Sequence, residues 1–128
     1  MKKPRRICSY LSPDGSRPAE EFIRRLDGKL QRKIGSQLRM LANPAYSFAP
    51  PHVKAFRLDA YKGLYELRTR EKQMIRIIFC ICPDGTVILL HGFIKKEERA
   101  TEKALKTARA RMLALASGAA GYEDVDLE

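Results

Sequence analysis

The sequence predicts an α+β fold: a small antiparallel β-sheet, built from a three-stranded meander plus an N-terminal strand, with a two-helix hairpin on one face and a C-terminal helix. Three observations predict it. Residues 56–96 hold three runs rich in Ile, Leu and Phe, separated by two short polar turns, which is the pattern of a meander. Apolar residues between Pro18 and Asn43 recur at helical spacing. Beyond Lys96, Glu97, Glu98 and Glu102 precede Lys103, Lys106, Arg109 and Arg111, the order that a helix dipole favours.

In chain order, residues 5–11 (RRICSYL) read as the first strand, ended by the turn Ser12-Pro13-Asp14-Gly15. Pro18, with Glu20 and Glu21 behind it, opens a short helix to about Leu26 that buries Phe22, Ile23 and Leu26. Asp27 is the N-cap of a second helix, in which Leu30, Ile34, Leu38 and Leu41 make one apolar face and Arg32, Lys33 and Arg39 lie outside. Asn43-Pro44 stops it. Residues 46–53 contain Pro50 and Pro51 and read as an irregular loop, with His52 a surface residue. The final helix, residues 97–116, buries Leu105, Ala108, Met112 and Leu115 and ends at Ser117-Gly118. Residues 1–117 form one domain, and residues 118–128 an acidic, disordered tail.

The meander fixes the candidate site. In residues 73–82, Ile75, Ile77, Phe79 and Ile81 share one face, which the helix hairpin covers, while Arg76 lies on the other. For Leu67 to share the face of Ile75 and Ile77, the connecting loop must have an odd length, such as Glu71-Lys72-Gln73. Arg68 and Arg76 then sit together on the non-core face, with Glu66 the one carboxylate near them, so an anion is the missing component. In the third run both parities are apolar, and the strand is covered on both faces. A three-residue loop Pro83-Asp84-Gly85 puts His91 beside Ile77 and Phe79 on the core face; a two-residue turn puts it beside Ile78, with the arginines. The three-residue form is the expectation.

Composition narrows the partner. Net charge is +10, and residues 1–117 hold 25 basic against 11 acidic residues, a body that attracts polyanions, nucleic acid ahead of membrane. Lys54, Arg57 and Lys62 before the meander, with Arg70 and Lys96, are candidate phosphate contacts. Cys8, Cys80 and Cys82 read as small core residues in a reducing compartment, and His52 and His91 without a C-x-x-C give no zinc pattern; no metal and no cofactor is expected. The basic start, 1–6, is followed by no apolar core of a signal peptide, and no run approaches membrane-spanning length, so a cytoplasmic protein is expected.

The chain resembles the RelE/ParE toxin superfamily, with wording closest to its phage-derived, HigB-like branch. The resemblance rests on Val53-Lys54 and Leu58, on Gly63-Leu64-Tyr65-Glu66-Leu67-Arg68, on Met74-Ile75-Arg76-Ile77, and on Leu89-Leu90-His91-Gly92-Phe93 with Lys95-Lys96. It implies a RelE-like fold and the toxin of a bacterial type II toxin-antitoxin pair, in many members a ribonuclease cutting mRNA, often at the ribosome. It also implies an antitoxin partner carrying a helix-turn-helix DNA-binding domain. Arg76 matches the arginine of the family's third-strand motif, and Lys95 and Lys96 fall where many members place a further functional base. Glu97-Glu98-Arg99-Ala100 departs from the Thr/Gln/Pro-containing stretch of the family pattern.

Cleavage of RNA by internal attack of the 2′-hydroxyl needs a base, an acid and cations for the phosphorane. Arg68 and Arg76 suit the cationic role; His91, Lys95, Tyr65 and Glu66 are the candidates for moving protons. The scheme needs no metal. Two other classes compete with it: a ParE-like poison that binds a DNA topoisomerase without catalysis, and a basic module that binds nucleic acid without cutting it.

Overall fold

The computed structural model describes residues 2–126. The elements run β1 (Ile7–Leu11), α1 (Pro18–Arg24), α2 (Gly28–Ala42), β2 (Val53–Ala55), a single 3-10 turn (Asp59–Tyr61), β3 (Leu64–Arg70), β4 (Met74–Ile81), β5 (Val87–Ile94), α3 (Glu98–Ser117) and β6 (Gly121–Asp124). The α+β architecture stands, with a larger sheet than the sequence announces. Six strands in the order β2-β3-β4-β5-β1-β6 form it, and the sheet is mixed because β1 runs parallel to β5 while its other pairings are antiparallel.

Local chemistry accounts for the helices. Asp27 Oδ1 accepts the amide hydrogen of Leu30 at 2.8 Å, which caps α2, and Leu30, Ile34, Leu38 and Leu41 are all buried. Their partners are Val53, Leu67, Ile75, Ile77, Phe79, Val87 and Leu89, so α1 and α2 cover the sheet face assigned to them. α1 lies so close to β5 that a Cβ on Gly92 would stand 2.2 Å from the Phe22 ring, a space only glycine leaves open.

The opposite sheet face is where the structure departs from the sequence reading. It is a second core, in which α3 packs Ala104, Leu105 and Ala108 against Leu64, Ile78, Cys80, Ile88 and Leu90. The face of Arg76 is therefore covered over most of its area, and Arg76 itself is buried.

The acidic segment also departs from expectation. Residues 121–124 are not a disordered tail: they form β6 on the free edge of β1, pairing Ser9 with Glu123 and Cys8 with Asp124. Arg6 meets Asp124 at 3.1 Å, Arg17 pairs with Glu123, and Val125 packs on the first core and donates to Ile7 O at 3.0 Å. The composition argument for disorder fails because these carboxylates find arginines and the backbone finds an open strand edge. Leu127 and Glu128, the last residues assigned to the tail, lie outside the described residues.

Candidate functional site

The loop of residues 71–73 gives β3 and β4 the odd register predicted, so Arg68 stands directly opposite Arg76 and Arg70 opposite Met74. One row further along, Lys54, Glu66, Ile78 and His91 are successive cross-strand neighbours on β2, β3, β4 and β5. Residues directly opposite share a face. Arg68, Arg76, Glu66, Lys54 and His91 thus lie on one sheet face.

Glu66 organises the centre. Only 2% exposed, its Oε1 accepts from Arg68 Nε at 3.1 Å and lies 3.5 Å from Arg76 Nε. The longer contact is an ion pair without hydrogen-bond geometry, and Glu66 Oε2 and Arg76 Nε are buried without hydrogen-bond partners. Arg76 also donates from one terminal nitrogen to Ile75 O at 3.2 Å. Burial lowers the pKa of Arg76, Glu66 opposes that shift, and Arg68 and Arg70 add to it by repulsion. Two guanidinium groups are thereby held together around one carboxylate.

In front of them opens a cleft of about 510 Å³ lined by Lys33, Gln37, Pro51, His52, Arg68, Arg70, Met74 and Arg76. α2 supplies its wall: Gln37 donates to Arg68 O at 3.0 Å and is bonded to Thr69 Oγ1, and Lys33 donates to Arg70 O at 2.8 Å and to Glu71 Oε1 at 2.9 Å. His52 reaches the cleft because its carbonyl accepts from Arg68 N at 2.8 Å just before β2 begins. Cations from α2, β3 and β4 and one exposed imidazole converge on a single concavity, an arrangement able to hold an anion beside a proton carrier.

The other sequence candidates are distributed unevenly. His91 faces neither the first core nor the open cleft. The loop does have the predicted form, with Cys82 donating to Thr86 O and Gly85 at φ 91°, but a β-bulge follows. Phe79 pairs with Leu89 and Ile78 with His91, so Leu90 is the extra residue and His91 turns to the arginine face under α3. There Arg111 donates to His91 Nδ1 at 3.1 Å, which puts the ring proton on Nε2. Burial first, and Arg111 second, push its pKa down to about 4. At neutral pH this ring is uncharged and its accepting nitrogen is occupied.

Lys95 stands at the arginine end of the sheet, its amide donating to Met74 O at 2.8 Å and its ammonium 3.1 Å from Glu98 Oε1. Lys96 is exposed beside it, and Lys54 is exposed with its ammonium 5.6 Å from the Phe56 ring centroid. Arg57 and Lys62 are exposed around the 3-10 turn that precedes Leu64. They are separated from Arg70 by the length of β3, roughly 20 Å at the usual rise of a strand, and do not join the cleft.

Sequence reasoning missed Lys33, Gln37 and His52. The first two lie on the flank of a helix whose apolar stripe drew the attention, and the third sits behind two prolines that hid a strand of three residues. Among the described residues no group of three His, Cys, Asp or Glu side chains could hold a metal ion, and no helix is long and apolar enough to cross a membrane.

The profile of the family described as Phage derived protein Gp49-like (DUF891) matches residues 21–113, from α1 through most of α3 and including every residue of the cleft. The chain belongs to the Gp49-like family. Gp49-like proteins are RelE-like toxins, so this is a phage-derived, toxin-like protein. No curated protein matches the chain. In this Gp49-like chain β1 and β6 lie outside the matched span, whereas Glu66, Arg68 and Arg76 lie well inside it.

Proposed function

We propose that this protein is the toxin of a type II toxin-antitoxin pair, of the HigB-like branch, and a metal-independent endoribonuclease that cuts mRNA at the ribosome. One observation carries the reading: Lys33, Arg68, Arg70, Arg76 and His52 line the same cleft. In the proposed reaction the 2′-oxygen of the RNA attacks the adjacent phosphorus as the bond to the 5′-oxygen breaks. His52 takes the 2′-hydroxyl proton, in the role that the sequence offered to His91, and Lys95 protonates the leaving 5′-oxygen. Arg68 and Arg76 bear the negative charge of the phosphorane. Lys54, Arg70 and Lys96 hold flanking phosphates. The cognate antitoxin, carrying a helix-turn-helix DNA-binding domain, is the partner that keeps the activity in check.

Translating ribosomes incubated with the protein, followed by mapping of mRNA ends, test this reading. New 5′ ends with the wild type, and a loss of about 10²–10⁴-fold in cleavage rate for His52→Asn, are the expected result. Intact mRNA overturns the nuclease. A DNA supercoiling assay run in parallel separates the two alternatives, because topoisomerase inhibition marks a ParE-like poison and its absence leaves a non-cleaving nucleic-acid-binding module.

A further inference from the structure

Arg68 and Arg76 face each other directly, in positions where two like charges repel. Nothing holds such a pair unless something behind it supplies the opposite charge. Glu66 does, from a position with almost no access to solvent, and it meets both residues through the same oxygen, Oε1, and in each case through Nε. Met at Nε from behind, Arg68 keeps its terminal nitrogens for what lies ahead and Arg76 keeps the one that does not donate to Ile75 O, and both side chains line the cleft. Glu66 itself does not line it. The buried Glu66 Oε2 and Arg76 Nε lack hydrogen-bond partners, an arrangement that costs stability and is not what a purely structural ion pair would retain.

We propose that Glu66 is a positioning residue, which holds Arg68 and Arg76 side by side so that their outward nitrogens grip one phosphate group between them. The role rests on the nuclease reading only for the phosphate being that of RNA. The carboxylate lowers the net charge of the trio to +1, so it weakens long-range attraction while fixing geometry. Its contribution is therefore to the rate of the reaction rather than to capture of the polyanion.

The test uses the full chain and two readouts. In the first, Glu66→Gln lowers kcat for mRNA cleavage by about 10–100-fold with KM unchanged or reduced, because orientation is lost while one negative charge is removed. Unchanged kcat overturns the proposal, and so does a loss confined to a higher KM. Arg68→Lys provides the second variant should Glu66→Gln fail to fold. It keeps the charge at a half-exposed position and removes the fork, so it too lowers kcat, and wild-type kcat in this variant overturns the proposal. The second readout is the NMR signals of the arginine Nε–H groups during titration with inorganic phosphate. In the wild type Arg68 and Arg76 respond together with one affinity; in Glu66→Gln the joint response is lost. Independent responses in the wild type, or a joint response that survives Glu66→Gln, overturn the clamp. A wild type that cuts no RNA but gives the joint response removes the nuclease and upholds Glu66.

Discussion

Two regions of this sheet bring arginines and carboxylates together, and they use them in opposite ways. At the β1 edge, Arg6 meets Asp124, Arg17 meets Glu123 and the buried Glu20, and Arg24 meets Glu20 and Asp126, so that four carboxylates face three arginines. At the β3–β4 end one buried carboxylate serves two arginines, while Arg70 stands exposed alongside. The first region is balanced and closed; the second is left with positive charge directed into a cleft. The lesson is that an arginine cluster points to a ligand when cations outnumber the carboxylates within reach, not when arginines are merely numerous or share a buried carboxylate, as Arg17 and Arg24 share Glu20.

The largest test of that contrast is Arg76→Gln, which removes a charge from the unbalanced site. Cleavage of mRNA should fall about 10²–10³-fold, as on removal of other preorganised donors. Because Arg76 is buried against Glu66, the fold should also lose roughly 1–3 kcal/mol, measurable by urea denaturation. The sequence reading, which put Arg76 on the non-core face of the sheet, predicts no such loss. Arg57→Gln, at the far end of β3, should change neither quantity.

A smaller effect tests the second core that borders the site. With the pKa of His91 held near 4 in the folded protein against about 6.5 unfolded, the unfolded chain binds the extra proton between those values. Stability conferred by the neutral ring is thus complete above pH 6.5 and is lost as pH falls towards 4, by at most about 3 kcal/mol. Denaturation midpoints at pH 7 and pH 4.5 should therefore diverge more for the wild type than for His91→Asn. Equal divergence would show that the ring titrates as freely as an exposed one.

The smallest effect belongs to the balanced edge. Asp124→Asn and Glu123→Gln each remove a solvent-accessible partner of an arginine, and Arg17 keeps Glu20, so melting temperature should move by no more than about 2 °C and cleavage not at all. A marked change in cleavage from either would mean that the two arginine regions are coupled.

Much of this was legible in the sequence because it is local. The cap at Asp27, the stripe of α2, the alternation in β3 and β4 and the odd loop between them are set by residues a few positions apart, and together they place Arg68 against Arg76. Pairings between distant segments were not legible. Nothing in residues 5–11 states that β1 joins β5 in parallel, and an acidic segment reads as tail until its arginines are found across the fold. The bulge at Leu90 was hidden because β5 is apolar on both parities, so a one-residue slip leaves no trace in the pattern. The second core did leave a trace. Ile78 and Cys80 share the parity of Arg76, and two apolar neighbours were reason to expect a cover over that face.

The strands at either border of the sheet decide how this molecule behaves when it is crowded against copies of itself. β2 is three residues long, follows two prolines and carries an exposed lysine; β6 is four residues long and carries two exposed acids. Each offers a growing stack of strands too short a template, marked with charge, and the long apolar strands β3, β4 and β5 stay enclosed between them and β1. A chain with so much isoleucine in its centre is thereby guarded against edge-to-edge aggregation on both sides, by strands that contribute little to the core they protect.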